Sequence, residues 1–175
     1  PSVLYQETKS YTGGAAIVAK HLKAAGAEVN FTTILGNDEL KNFVISEMKK
    51  SKIKLNFILD KNRPTTNKNT IISNNYNLLK IDKVDNQPIS TNILNKIKDI
   101  ILKDNYDVFI FSDFRHGIFN KSSIPTLSRS IKKKAFKVAD SQVATRWGNI
   151  ADFKNFDLIT PNEKEARFSL ADQDA

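Results

Sequence analysis

Three short apolar runs of this chain end in polar residues. Val108 to Phe111 runs into Asp113, Phe136 to Ala139 into Asp140, and Leu158 to Thr160 into Asn162. In an open parallel sheet, ligands bind outside the carboxyl ends of the strands, where loops converge. Three such ends would place Asp113, Asp140 and Asn162 on one rim, although each of them taken singly also reads as a turn or cap residue. A fourth feature is Gly13-Gly14 ahead of an alanine-rich segment. A glycine pair there lets backbone approach a ligand closely with N–H groups aimed at it, and it equally serves a tight turn. Asn162 and Glu165 share one helix face at i and i+3.

Other chemistries lack their residues. There is no G-x-G-x-x-G and no GxxxxGK[ST], which argues against a dinucleotide or P-loop site. His21 and His116 have no HExxH spacing and no Cys or His cluster supports zinc; with no cysteine, disulfides and thiolate metal sites are excluded. Ser112-Asp113 and Asp140-Ser141 do not form a G-x-S-x-G elbow, so a hydrolytic triad has no support.

The elements that must position these residues alternate between strand and helix. Residues 3–9 read as an exposed strand, and a helix follows Gly14 to about Ala25, where Gly26 stops it. Val29 to Leu35 is a strand, and Asp38 is placed to cap a helix with Leu40, Phe43, Val44 and Met48 at helical spacing. Ile53 to Leu59 is a strand and 60–69 a loop. Then Thr70 to Ile72 and Leu78 to Ile81 flank Ser73-Asn74-Asn75 as a hairpin. Ser90 or Thr91 caps a helix carrying Ile93, Leu94, Ile97, Ile100 and Ile101. Val108 to Phe111 is apolar without alternation, which predicts a parallel strand buried on both faces. A helix from about Ile124 leads to the second buried strand, and a Glu- and Lys-rich helix follows Asn162. The fold class predicted is α/β, a three-layer open and mostly parallel sheet.

Length and composition agree with this. One domain is expected of 175 residues, and 40% hydrophobic residues suffice for a core. No apolar run approaches the roughly 18 residues that span a bilayer, and PSVLYQETKS has no signal-peptide pattern. With no cysteine, the expected location is cytoplasmic. The net charge of +8 invites an anionic partner. However, lysine is scattered along the chain and aromatics do not interleave with it, which argues against a nucleic-acid groove.

Gly13-Gly14-Ala15-Ala16-Ile17-Val18-Ala19, followed by AAGAEV and ILGNDEL, resembles the glycine signature region of ribokinase-type (PfkB) carbohydrate kinases. Thr160-Pro161-Asn162-Glu163-Lys164-Glu165 is similar to their N-x-x-E motif, and FSDF with Gly117 and VADSQ resemble their buried strand ends. NKNTIISNNYNLLKID and FKNFDLITPNEKEAR point within the family to heptose-phosphate kinases, the kinase domain of ADP-heptose synthases. The resemblance covers nearly the whole chain in order.

The resemblance implies a partial ribokinase-like kinase domain over 1–175, with lid strands at about 3–9 and 53–83. It implies ATP-dependent phosphorylation of a sugar or sugar phosphate, a heptose phosphate foremost. Gly13 and Gly14 would lie against the sugar and Asp38 near it. Lys68 and Arg63 would flank the lid within reach of a substrate phosphate, or be solvated loop charges. Asp113, Arg115 and Asp140 would lie near the phosphate path, Asp113 and Arg115 toward substrate and Asp140 toward nucleotide. Asn162 and Glu165 would hold Mg²⁺ through water beside the nucleotide; the alternative is a helix capping box. Arg146 and Trp147 are further candidates. A homodimer through the lid strands is expected, since an exposed sheet edge needs covering.

Three departures qualify these implications. Ile17 stands where the family commonly has a sugar-contacting Asn. The family's first strand, with its acidic residue, would precede Pro1. The G-A-G-D segment, which carries the catalytic base and an anion hole, would follow Ala175. The 175-residue polypeptide alone is therefore expected to have negligible kinase activity. A non-catalytic sugar- or nucleotide-binding module and a nucleic-acid-binding protein are the alternatives.

Overall fold

The computed structural model describes residues 2–142 and 149–172, and the chain divides between Asp85 and Asn86 into two compact units. Arg146 and Trp147 lie outside the described residues.

The first unit is built on a parallel strand–helix–strand crossover. Helix α1 (Ala15–Ala24) starts after Gly14, whose φ of 55° favours glycine, and stops before Gly26 at φ 98°. Strand β1 (Asn30–Leu35) leads into α2 (Glu39–Lys50), and β2 (Lys54–Leu59) returns parallel to β1, with Asn30 opposite Lys54 and Leu35 opposite Leu59. Ala16, Ala19, Met48 and Ile53 form the core, flanked by Val29, Phe31, Val44 and Leu55. A Lys20–Glu47 ion pair at 3.1 Å ties α1 to α2.

Strands β3 (Asn67–Ser73) and β4 (Tyr76–Lys83) form the expected hairpin, starting three residues earlier than the sequence pattern predicts. Its turn residues Asn74 (φ 47°) and Asn75 (φ 66°) both adopt the left-handed backbone, the two-residue geometry that matches strand twist. Every residue of β4 is exposed. One face, with Ile71 opposite Leu79 and Asn69 opposite Ile81, is largely apolar, and the other carries Lys68 opposite Asp82 and Thr70 opposite Lys80.

Two lid strands expected from sequence are corrected. Residues 2–12 form neither strand nor helix. Val3, Leu4 and Tyr5 are all exposed, so no face of that segment has apolar burial to hold it in a ladder. β2 does not belong to the lid either: its backbone is committed to β1, and only 67–83 make the hairpin.

In the second unit, α3 (Thr91–Lys103) is capped by the Ser90 hydroxyl and buries Ile93, Ile97 and Ile101, spaced four apart. Strands β5 (Val108–Asp113), β6 (Phe136–Ser141) and β7 (Leu158–Ile159) form an all-parallel sheet in that order, with α4 (Ser123–Ser130) between β5 and β6. A short 3-10 helix (Ile150–Asp152) precedes β7, and α5 (Glu163–Ser169) follows it. Phe111, Phe119, Phe153 and Phe156 pack as one aromatic cluster, Phe111 and Phe119 stacked at 4.8 Å. The expectation that β5 is buried on both faces is not met. Phe111 and Asp113 are buried, whereas Val108 and Ile110 on the opposite face are exposed. An unbroken apolar run does not report which of its faces is covered.

Candidate functional site

The carboxyl ends of β5, β6 and β7 lie side by side, as the sequence predicts for this rim. Ser112 stands opposite Asp140 and Asp113 opposite Ser141 in the ladder. Asp113 is 2% exposed and accepts four hydrogen bonds. Its Oδ1 takes the Arg115 backbone N–H at 2.7 Å; its Oδ2 takes Asn149 Nδ2 at 2.9 Å, Ser141 Oγ at 3.3 Å and Arg115 Nη1 at 3.5 Å. The single Ser141 hydroxyl proton is shared between Asp113 Oδ2 and Asn149 Oδ1. A buried carboxylate is costly unless its lone pairs are met, and here three side chains and a backbone amide meet them. Asp113 thus fixes the loop at Arg115, which adopts φ 62°, an uncommon conformation for a non-glycine residue. Sequence reasoning missed Ser141 and Asn149. Ser141 directly follows Asp140 at the same strand end, so its position was readable; Asn149 is 36 residues from Asp113 and carried no local signal.

Asp140 is half-buried and accepts from the Thr160 hydroxyl at 3.1 Å, linking the ends of β6 and β7. One turn further, Asn162 Oδ1 accepts from Glu165 N at 2.9 Å, and Glu165 Oε2 accepts from Asn162 N at 2.9 Å. The capping-box reading of the N-x-x-E spacing is therefore realised. The box leaves Glu165 Oε1 outside it. Among the described residues no group of three His, Cys, Asp or Glu side chains could hold a metal directly. A caged, all-protein ion does not fit this rim; a Mg²⁺ that keeps its waters and needs one carboxylate beside phosphate oxygens does.

In the first unit, a Cβ on Gly13 would meet no heavy atom within 4 Å, so packing does not require a glycine there. Gly14 is the residue the turn needs. Ile17, on the first turn of α1, is 44% exposed, and its side chain offers no hydrogen bond. Lys68 is exposed on the charged face of the hairpin. Arg63 is not a solvated charge: its side chain is 10% exposed, and its Nε donates to Asp60 Oδ2 at 2.9 Å with Asp85 at 4.0 Å.

Asp38 caps α2 by accepting Lys41 N through Oδ1 at 3.2 Å, and its Oδ2 accepts Thr65 N at 2.8 Å. Burial pushes this carboxyl up, but hydrogen bonds from Thr65 and Lys41 and the nearby Lys83 charge outweigh it and hold it below its ordinary value. A lowered carboxyl pKa contributes stability above its unfolded value. That contribution is complete at neutral pH and is lost as acid protonates the folded carboxylate, below about pH 4. Sequence reasoning found Asp38 as a cap and missed its bond to Thr65, which is 27 residues away.

No helix among the described residues is long and apolar enough to cross a membrane. Bifunctional protein HldE of Rhodopseudomonas palustris (strain TIE-1) is 29% identical over 170 residues, 94% of this chain and 34% of that protein. The HldE protein of Campylobacter jejuni subsp. doylei is 31% identical over 161 residues, 90% of this chain and 32% of that one. Among solved structures, the tetrameric inhibited form of phosphofructokinase-2 from Escherichia coli matches with a TM-score of 0.67 at 14% identity, over 97% of this chain and 58% of that chain. The structure of Sa239 matches at 0.69 with 18% identity, over 95% and 55%. These structures establish a ribokinase-like α/β fold. The chain spans about a third of the length of the curated relatives it matches. The profile described as pfkB family carbohydrate kinase matches residues 2–175, and the chain belongs to that family.

Proposed function

We propose that these residues supply part of an ATP- and Mg²⁺-dependent kinase acting on a sugar phosphate, with a heptose phosphate as the foremost acceptor. The observation that carries the reading is the rim of the second unit, where Asp113, Asp140 and the Asn162–Glu165 box occupy three adjacent strand ends. Phosphoryl transfer depends on positioning and on neutralising charge rather than on covalent chemistry. The box orients Glu165 so that Oε1 could accept from a water on the ion, and Asp140 would border the nucleotide. Mg²⁺, when bound, neutralises charge on the phosphates. Arg115, held by Asp113, offers its guanidinium to a phosphate oxygen. Gly13 and Gly14 would receive the sugar, because backbone without a Cβ permits close approach, with Asp38 near it and Lys68 on the hairpin as a cation for its phosphate. The 175 residues contain no G-x-G-D segment, so the isolated chain is expected to transfer phosphate negligibly.

In the protein at its full encoded length, Glu165→Gln tests the magnesium role, because glutamine preserves the capping box while removing the charge. The expected result is a drop in sugar-phosphate phosphorylation of about ten- to a hundred-fold with a raised Mg²⁺ requirement, and an unchanged melting temperature. An unaltered Mg²⁺ dependence would remove Glu165 from the site. The reading includes a homodimer through the apolar face of the hairpin, on which Ile71, Leu79 and Ile81 are 38%, 53% and 50% exposed. Sedimentation at rising protein concentration tests it, and a monomer throughout would count against it.

A further inference from the structure

The hairpin β3–β4 packs its side chains on almost nothing. All of β4 is exposed, and in β3 only Asn67 and Ser73, at its two ends, are half-buried. A two-stranded hairpin is at best marginally stable alone, and within one protomer no packed face holds it, so its direction relative to its own body is set where the two join. Polar contacts gather at that junction. On the incoming side, Thr65 N donates to Asp38 Oδ2 at 2.8 Å, and Gly36 N donates to Thr65 Oγ1 at 2.9 Å. Arg63 reaches Asp60, at the end of β2, and Asp85, two residues beyond β4. Lys83, the last residue of β4, is close enough to Asp38 to act on its charge. The incoming end is thus tied at Asp38, and Arg63 on that side reaches Asp85 past the outgoing end; Asp38 and Arg63 are both at least partly buried.

We propose that Asp38 and Arg63 are positioning residues whose contacts at the hairpin root fix the direction of β3–β4. Asp38 does so while also capping α2, so the start of that helix and the root of the hairpin share one carboxylate. The lever is long: eight strand residues at about 3.4 Å each reach about 27 Å, so a turn of about 10° at the root displaces the tip by about 5 Å. Gly36 completes the root, because a Cβ there would lie 2.4 Å from Thr65 N and 2.6 Å from Arg63 O.

The absence of cysteine permits a direct measurement. Spin labels at Asn77→Cys on β4 and Lys49→Cys on α2, both exposed positions, report the distance between hairpin and body. Labelled protein is diluted into unlabelled protein so that the distance read lies within one protomer, and the parent is expected to give one narrow distance. Asp38→Asn keeps an acceptor for Lys41 N but can turn an amide N–H toward Thr65 N, and is expected to at least double the width of the distribution with helix content unchanged. If Asp38→Asn lowers helix content, Arg63→Gln, which leaves the cap alone, carries the test with the same expectation. A distribution as narrow as the parent's in the folded variant would overturn the proposal. The consequence for catalysis rests on the kinase reading and is read in Arg63→Gln, since Asp38 is itself placed near the sugar: in the protein at its full encoded length the acceptor KM should rise about ten-fold, with kcat changing less. A broadened distance with KM unchanged would leave the root in place and overturn its link to the acceptor.

Discussion

Asp113→Ala is expected to destabilise the protein by about 3–5 kcal/mol, the range for removing one partner from a buried, hydrogen-bonded charge network. The carboxylate is 2% exposed and is the common acceptor for Arg115 N, Arg115 Nη1, Asn149 Nδ2 and Ser141 Oγ. Alanine would leave those donors facing a cavity, and each buried unsatisfied group costs about 1–3 kcal/mol. Not all of that is lost, because Ser141 still has Asn149 as partner and the Arg115 side chain is 26% exposed and can turn to water. For a chain of this size the melting temperature should fall by about 10 °C. Asp113→Asn, which retains one acceptor oxygen, should lose about half as much. A loss below about 1 kcal/mol for the alanine variant would mean that Asp113 does not organise the rim.

Gly36→Ala is the second large effect. The added Cβ would meet Thr65 N at 2.4 Å, Arg63 O at 2.6 Å and Pro64 C at 2.7 Å, all of them backbone atoms that no rotamer change can move. The 60–66 segment must shift, and with it the Thr65 hydroxyl that accepts Gly36 N at 2.9 Å. Overpacking commonly costs about 1–3 kcal/mol, and three backbone contacts at once put the expected loss near the upper end. Thermal denaturation measures it directly. A variant that melts with the parent would show that the close approach of 36 to 63–65 is not required.

Both effects come from contacts that local sequence could not show. The helices and parallel strands were legible because apolar spacing and caps are local. Asp38, Ser90 and Asn162 each read as a cap and each accepts the expected backbone N–H. The Asn74-Asn75 turn was legible because few residues other than glycine tolerate positive φ in succession. The strand reading at 3–9 misled, since an extended segment without apolar burial does not join a ladder, and the apolar run at 108–111 said nothing about which face is covered. Within the candidate site, strand ends announced Asp113, Asp140 and Asn162. Their partners Asn149 and Thr160 and the Asp38–Thr65 bond depend on how distant segments meet, and no periodicity encodes that.

The most direct test of the kinase reading is magnesium-dependent ADP release from ATP by the protein at its full encoded length, with a heptose phosphate, other sugar phosphates and free sugars offered in turn. ADP release that requires a sugar phosphate, is greatest with a heptose phosphate and falls in Glu165→Gln is the expected result. ATP turnover indifferent to every sugar phosphate, or no turnover with any of them, would contradict it.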